Sequence, residues 1–103
     1  MRVEDIEARE VMPGYHGRFI HSERTTLVFW EIESDRPLPE HAHPHEQIVN
    51  ILEGTFELIV DGMPYVLSAG DYFVIPPGVP HTGLSHTTCK ILDVFAPVRE
   101  DYR

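Results

Sequence analysis

Residues 39–54 read PEHAHPHEQIVNILEG, and two features of this stretch govern the reading of the rest. Its second half, Gln47 to Glu53, is an apolar run ended by Gly54, as expected for a short strand stopped at a turn. Its first half holds His41, His43 and His45, three of the chain's seven histidines. Residues two apart on a strand point to one face, so His41 and His43 are expected to project side by side, as two imidazoles on one ion must. Pro44 cannot continue a ladder, so the chain is expected to turn through Pro44-His45-Glu46. That turn redirects His45 to a supporting role. Gln47 then opens the next strand and can return its side-chain oxygen to the same ion.

Outward from this stretch the pattern is strand, turn, strand. Thr25 to Ile32 is β-branched and aromatic, with Phe29 and Trp30 on opposite faces, one for the core and one for an interface or pocket wall. Thr55 to Val60 ends at Asp61-Gly62, a strong hairpin signal between two apolar runs. Tyr65-Val66-Leu67 precedes the turn Ser68-Ala69-Gly70-Asp71. Tyr72 to Ile75 leads into Pro76-Pro77-Gly78-Val79-Pro80, and Lys90 to Phe95 is a last apolar strand before Pro97. A short helical turn is expected only within Val3 to Val11. About ten short strands between Gly/Pro turns predict an all-β sandwich or barrel in one domain. Residues 1–14 read as an N-terminal arm, 15–96 as the barrel and 97–103 as a C-terminal tail, solvated from Glu100 to Arg103.

The third histidine of a metal set must come from elsewhere in the chain. His81 follows the proline-rich turn, whose fixed backbone would fix the imidazole direction. Three imidazoles and an amide oxygen suit Zn, Fe, Ni, Mn or Cu rather than Ca or Mg. His16, His21 and His86 show no such spacing and are expected to be exposed or locally hydrogen-bonded. Asp93 is a carboxylate in the middle of an apolar strand, costly there unless paired, exposed or functional. If Leu92 and Val94 pack into a sheet or subunit contact, Asp93 and Phe95 face the cavity. Asp93 is then a candidate general acid or base; the alternative is a structural pair with Arg99 or a solvated face.

Composition narrows the partners. The chain has 103 residues, 17 acidic and 8 basic side chains and a net charge of −9. Backbone phosphates repel such a surface, which argues against nucleic acid or anionic membrane. No apolar run approaches the ~20 residues of a membrane helix. The acidic opening MRVEDIEARE lacks the apolar core of a signal peptide. The single Cys89 offers neither a disulfide nor a thiolate zinc site and reads as an inert buried thiol in a reducing, cytoplasmic compartment.

The stretch from Pro39 to Gly54 resembles the first motif of the cupin superfamily through His41, His43, Gln47 and Gly54. GDYFVIPPGVPH, Gly70 to His81, resembles its second motif through Gly70, Pro76, Gly78 and His81. The resemblance implies a double-stranded β-helix, or jelly-roll barrel, with one divalent metal in its mouth on His41, His43, Gln47 and His81. Gln47 replaces the commoner Glu, which leaves the site one negative charge short and its ion a stronger Lewis acid. Ser85 stands where the second motif often has Asn.

LDVFAPVREDY, residues 92–102, is similar to the C-terminal signature of small cupins related to the pectin-degradation protein. That group opens 4,5-unsaturated uronates to linear keto forms. The resemblance implies Asp93 as the catalytic acid or base, Phe95 as a pocket wall and Arg99 as the binder of an anionic substrate's carboxylate. Asn50 stands where that group commonly has an aromatic residue. A metal-dependent dioxygenase and a non-catalytic sugar- or metal-binding module stand as alternatives. The superfamily also implies a homodimer through an apolar sheet face.

Overall fold

Alternating burial along the central strands shows how the two layers form. The computed structural model describes residues 1–103. Its strands are β1 Arg9–Met12, β2 Tyr15–His21, β3 Thr26–Ile32, β4 Pro37–His41, β5 Glu46–Glu53, β6 Thr55–Val60, β7 Met63–Ser68, β8 Tyr72–Ile75, β9 His81–Ser85 and β10 Cys89–Ala96. They make a six-stranded sheet, β1-β2-β3-β10-β5-β8, and a four-stranded sheet, β4-β9-β6-β7. Every neighbouring pair is antiparallel. Thr26, Val28, Trp30 and Ile32 of β3 are buried, as are Cys89, Ile91, Asp93 and Phe95 of β10, while the residues between them are not. Phe56, Leu58 and Val60 of β6 meet this face from the other sheet and complete one core. Each such aliphatic or aromatic side chain contributes about 1.5–3 kcal/mol on burial. Sheet-on-sheet packing, with no α-helix, therefore holds the fold. This is the expected all-β barrel of two packed sheets.

The turns follow their sequence signals. Asp61 and Gly62 both take positive φ, 49° and 79°, the pairing of a type I′ turn whose twist matches its flanking strands. β6 and β7 accordingly pair from Val60↔Met63 outward. Gly54, between β5 and β6, has φ 88°. A Cβ there would strike the Thr88 carbonyl oxygen and come within 2.8 Å of Thr87 Oγ1. Gly54→Ala is expected to cost about 2 kcal/mol or more through backbone strain alone. In a domain of this size that lowers Tm by about 8 °C or more; an unchanged melting curve would show that the turn relaxes freely.

Three local expectations need correction. The helical turn is confined to a 3₁₀ turn at Val3–Asp5, and Arg9–Met12 is instead strand β1, paired to β2. Propensity in this short stretch yields to an available sheet edge. The strand carrying His41 ends at that residue, so His43 lies beyond it in irregular backbone. The last residues are not simply solvated: Glu100–Tyr102 forms a 3₁₀ turn, and Tyr102 packs half-buried against the core.

One band of the six-stranded sheet's outer face is apolar, beside a polar region of Arg18, Glu31, Lys90 and Asn50. Leu27, Val94, Ile48 and Val74 stand in one cross-strand row, and Phe29 and Leu92 lie beside them. Val74 and Leu52 are exposed, at 45% and 48%. No helix is long and apolar enough to cross a membrane.

Candidate metal centre

Strand register brings the histidines together. β4 and β9 pair so that His41 lies directly opposite His81. His81 also faces Val60 of β6 across its other edge. His43 is carried to the same place by the loop after β4. The Gly78 amide donates to the His43 carbonyl at 2.8 Å, tying that loop to the proline-rich turn before β9. Ligand atoms of His41, His43 and His81 all lie within 4.8 Å of one another. The expectation that His41 and His43 would converge holds, although a loop and not strand alternation achieves it.

The backbone sets the tautomers. Nδ1 of each ring meets a carbonyl: His41 with Pro39 at 2.8 Å, His43 with His45 at 3.1 Å and His81 with Val79 at 2.9 Å. A neutral imidazole donating through Nδ1 presents an unprotonated Nε2, the usual arrangement of a metal-ligating histidine. Burial, with the charge of Arg99 and the neighbouring His81, pushes the His43 pKa down to about 4. Burial also lowers that of His81. The His81 Nε2 is buried with no hydrogen-bond partner. The His43 Nε2 sits 3.1 Å from Gln47 Oε1, so two acceptors face each other, which a cation between them would reconcile. These observations fit a divalent ion, and the three histidines form a cluster suited to one. His45 contributes its carbonyl, in the supporting position expected of it.

Gln47 and Asp93 come from adjacent strands of the other sheet. Gln47 pairs with Phe95, and Asp93 with Val49. Asp93 is 8% exposed. Its Oδ2 accepts from Trp30 Nε1 at 2.9 Å, while its Oδ1 is buried without a partner. Burial raises the Asp93 pKa to about 6, against the opposing pull of Gln47, Trp30 and Arg99. Trp30, not Phe29, is thus the pocket residue of the pair. Phe95 meets His43 edge to face at 5.6 Å.

These groups line one cavity of about 220 Å³ between the sheets. His41, Gln47, His81 and Asp93 supply its polar wall, with Tyr15, Trp30, Phe95 and Tyr102 as aromatic walls. Arg99 is not among its lining residues. The guanidinium is gripped by Asp101 through Nε at 3.0 Å and Nη2 at 2.6 Å. It stacks 4.8 Å from the Phe95 ring and 4.2 Å from that of Tyr102. The structural pair Asp93–Arg99 is therefore absent: each has another partner.

Tyr102 escaped the sequence reading because its neighbours, Glu100, Asp101 and Arg103, are charged. It packs 5.0 Å from Phe19 and 5.9 Å from Phe95 and closes one side of the cavity. A lone aromatic in a polar tail was the available signal. The other histidines are locally bonded: His16 to Glu33 at 3.1 Å, His21 to Thr26 at 2.9 Å and His86 to Glu57 at 2.8 Å. Cys89 is buried, its thiol pKa raised by burial.

Known proteins share this architecture. An RmlC-like cupin from Shewanella frigidimarina NCIMB 400 is 31% identical, with a TM-score of 0.94 over 100% of this chain and 94% of its own. KdgF from Halomonas sp. is 26% identical, with a TM-score of 0.91 over 97% of this chain and 94% of that one. Quercetin 2,3-dioxygenase of Bacillus subtilis (strain 168) is 48% identical over 46 residues, 45% of this chain. The matched stretch spans only 13% of that enzyme's length. The cupin domain profile matches residues 28–95, from β3 through nearly all of β10 and across every histidine of the cluster, and the chain belongs to the cupin domain family.

Proposed function

We propose that this cupin is a metal-assisted enzyme that moves a proton on a small oxygen-bearing substrate, its ion held by His41, His43, Gln47 and His81. One observation carries the reading: the unpartnered Oδ1 of Asp93 and the unpartnered Nε2 of His81 belong to residues lining the same cavity. A bound Zn, Ni, Fe, Mn or Cu ion supplies a Lewis acid for a substrate carbonyl or hydroxyl oxygen. Asp93 takes a proton from the adjacent carbon and returns it elsewhere on the substrate. A pKa near 6 suits both halves of that exchange near neutral pH. Trp30 holds Oδ2 and so orients the carboxyl, and Phe95 shapes the wall beside it. Arg99 would receive a substrate carboxylate through its buried Nη1, which has no partner, while Asp101 holds Nε and Nη2.

The ring-opening of a 4,5-unsaturated uronate, implied by the C-terminal resemblance, supplies the reference reaction. Ion-loaded protein is incubated in D2O with unsaturated uronates and with small enolisable ketones, and NMR follows solvent deuterium into the substrate. Ion-dependent exchange, abolished by a chelator, is the expected result. Absence of exchange across all these ions and substrates sinks the reading and leaves a non-catalytic binding module. The match to quercetin 2,3-dioxygenase favours a second reading, a metal-dependent dioxygenase. Oxygen uptake with iron, nickel or copper supports that alternative, and full activity with redox-silent zinc rules it out.

The apolar row Leu27, Val94, Ile48 and Val74 is proposed as the contact of a homodimer. Light scattering on the parent chain is expected to give twice 11.8 kDa. Val94→Lys, which sets a charge at the centre of that row, is expected to give the single-chain mass. A monomeric parent removes the dimer and leaves the metal chemistry untouched.

A further inference from the structure

We infer that the substrate carries its oxygens at one end and an apolar, ring-sized body at the other: a small cyclic or aryl keto–enol compound. The inference rests on the proton-transfer reading above and concerns the rest of the cavity. The residues supplying polar groups to the cavity are His41, Gln47, His81 and Asp93, together with two tyrosines and Trp30. Three of these groups are already committed. The Tyr15 hydroxyl donates to the Arg36 carbonyl at 3.0 Å, Trp30 Nε1 donates to Asp93, and Gln47 Oε1 faces His43. No Lys, Arg, Asn, Ser or Thr lines the cavity. Its remaining wall is aliphatic or phenyl, including Ile32, Leu38, Val49, Phe56, Leu58 and Ile91.

Such a wall selects strongly. Apart from those few groups the wall has no partner for a substrate hydroxyl, and each one left unpaired weakens binding by about 10- to 100-fold. A sugar acid bears an oxygen on nearly every carbon, so several would be stranded against these side chains. Its carboxylate meets no cationic side chain on the cavity wall either: Arg99 is not among the lining residues, and Asp101 holds its Nε and Nη2, leaving only a buried Nη1 without a partner. A flat apolar ring fits where a sugar does not. The Trp30 ring stands nearly perpendicular to those of Tyr15, at 83°, and Tyr102, at 79°, so ring edges and faces line the space, the geometry that favours an aromatic or conjugated guest. At about 220 Å³ the cavity lies below the usual ligand range of about 300–1,000 Å³, which suits a single ring.

Trp30 is the only tryptophan and lines the cavity, so its fluorescence reports occupancy without any turnover. The zinc-loaded chain is titrated with 1,3-cyclohexanedione and, separately, with D-galacturonate. Both are six-membered rings with oxygens; only the second is hydroxylated around the ring. The dione is expected to quench at a concentration about 100-fold lower or better. Leu38→Asn, a polar group set into a half-buried part of the wall, is expected to narrow that ratio by about tenfold. Equal affinities, tighter galacturonate or no saturable quench by the dione overturns the inference. The two readings fail separately. Asp93-dependent turnover of an unsaturated uronate would uphold the proton-transfer function and overturn this substrate class. Tight dione binding without deuterium exchange would uphold the class and overturn the function.

Discussion

An Asp93→Asn chain is expected to keep its ion and lose about a hundredfold or more of its proton-transfer rate. General acid–base groups contribute about 10²–10⁴ to rate, and the geometry says why this carboxyl is one of them. Asn has nearly the same shape, and its amide oxygen can still accept from Trp30, so the side chain stays in place. What is lost is the ability of the second oxygen to hold and release a proton. The strand should tolerate the change, because burial disfavours the charged carboxylate here and an amide carries no such cost. Three measurements are needed together: the deuterium-exchange rate, bound metal by elemental analysis, and a melting curve. Loss of exchange with ion content and Tm preserved assigns the role to Asp93. Retained exchange removes it, and simultaneous loss of ion would instead make Asp93 a prop for Gln47.

Much of this was legible in sequence, for reasons that differ by residue. Asp61-Gly62 named its own turn because few residue pairs accept two positive φ values. Alternation along β3 and β10 was legible because a half-buried strand shows its period directly. That period puts Asp93 and Phe95 on one face and Leu92 and Val94 on the other, and the second sheet decides which face is inward. The opposition of His41 and His81 was not legible, since register between strands 40 residues apart in sequence depends on the whole sheet. β1 was misread because four residues carry too little pattern to separate strand from turn. Tyr102 and the Asp101 grip on Arg99 were missed for a related reason: the polarity of a tail says nothing about which of its members fold back. The choice between Phe29 and Trp30 likewise needed the other sheet, because parity separates two faces without saying which is inside.

His81→Ala is expected to reduce bound ion from one per chain to a small fraction after dialysis. His81 is 2% exposed, its Nε2 has no protein partner, and it stands across from His41 between two strands. A four-ligand structural zinc site is worth about 10–16 kcal/mol, or about 3 kcal/mol per ligand, so removing one costs roughly two orders of magnitude in affinity. His45→Ala is the matched control. His45 serves His43 through its backbone carbonyl, which alanine retains, so that variant is expected to hold its ion like the parent. The pair separates a metal site from a cluster of histidines that merely pack together. Loss in His81→Ala with retention in His45→Ala follows only if the imidazole of His81 itself binds. Equal ion content in both variants would mean that the ion sits elsewhere, and the proposed chemistry at Asp93 would lose its Lewis acid with it.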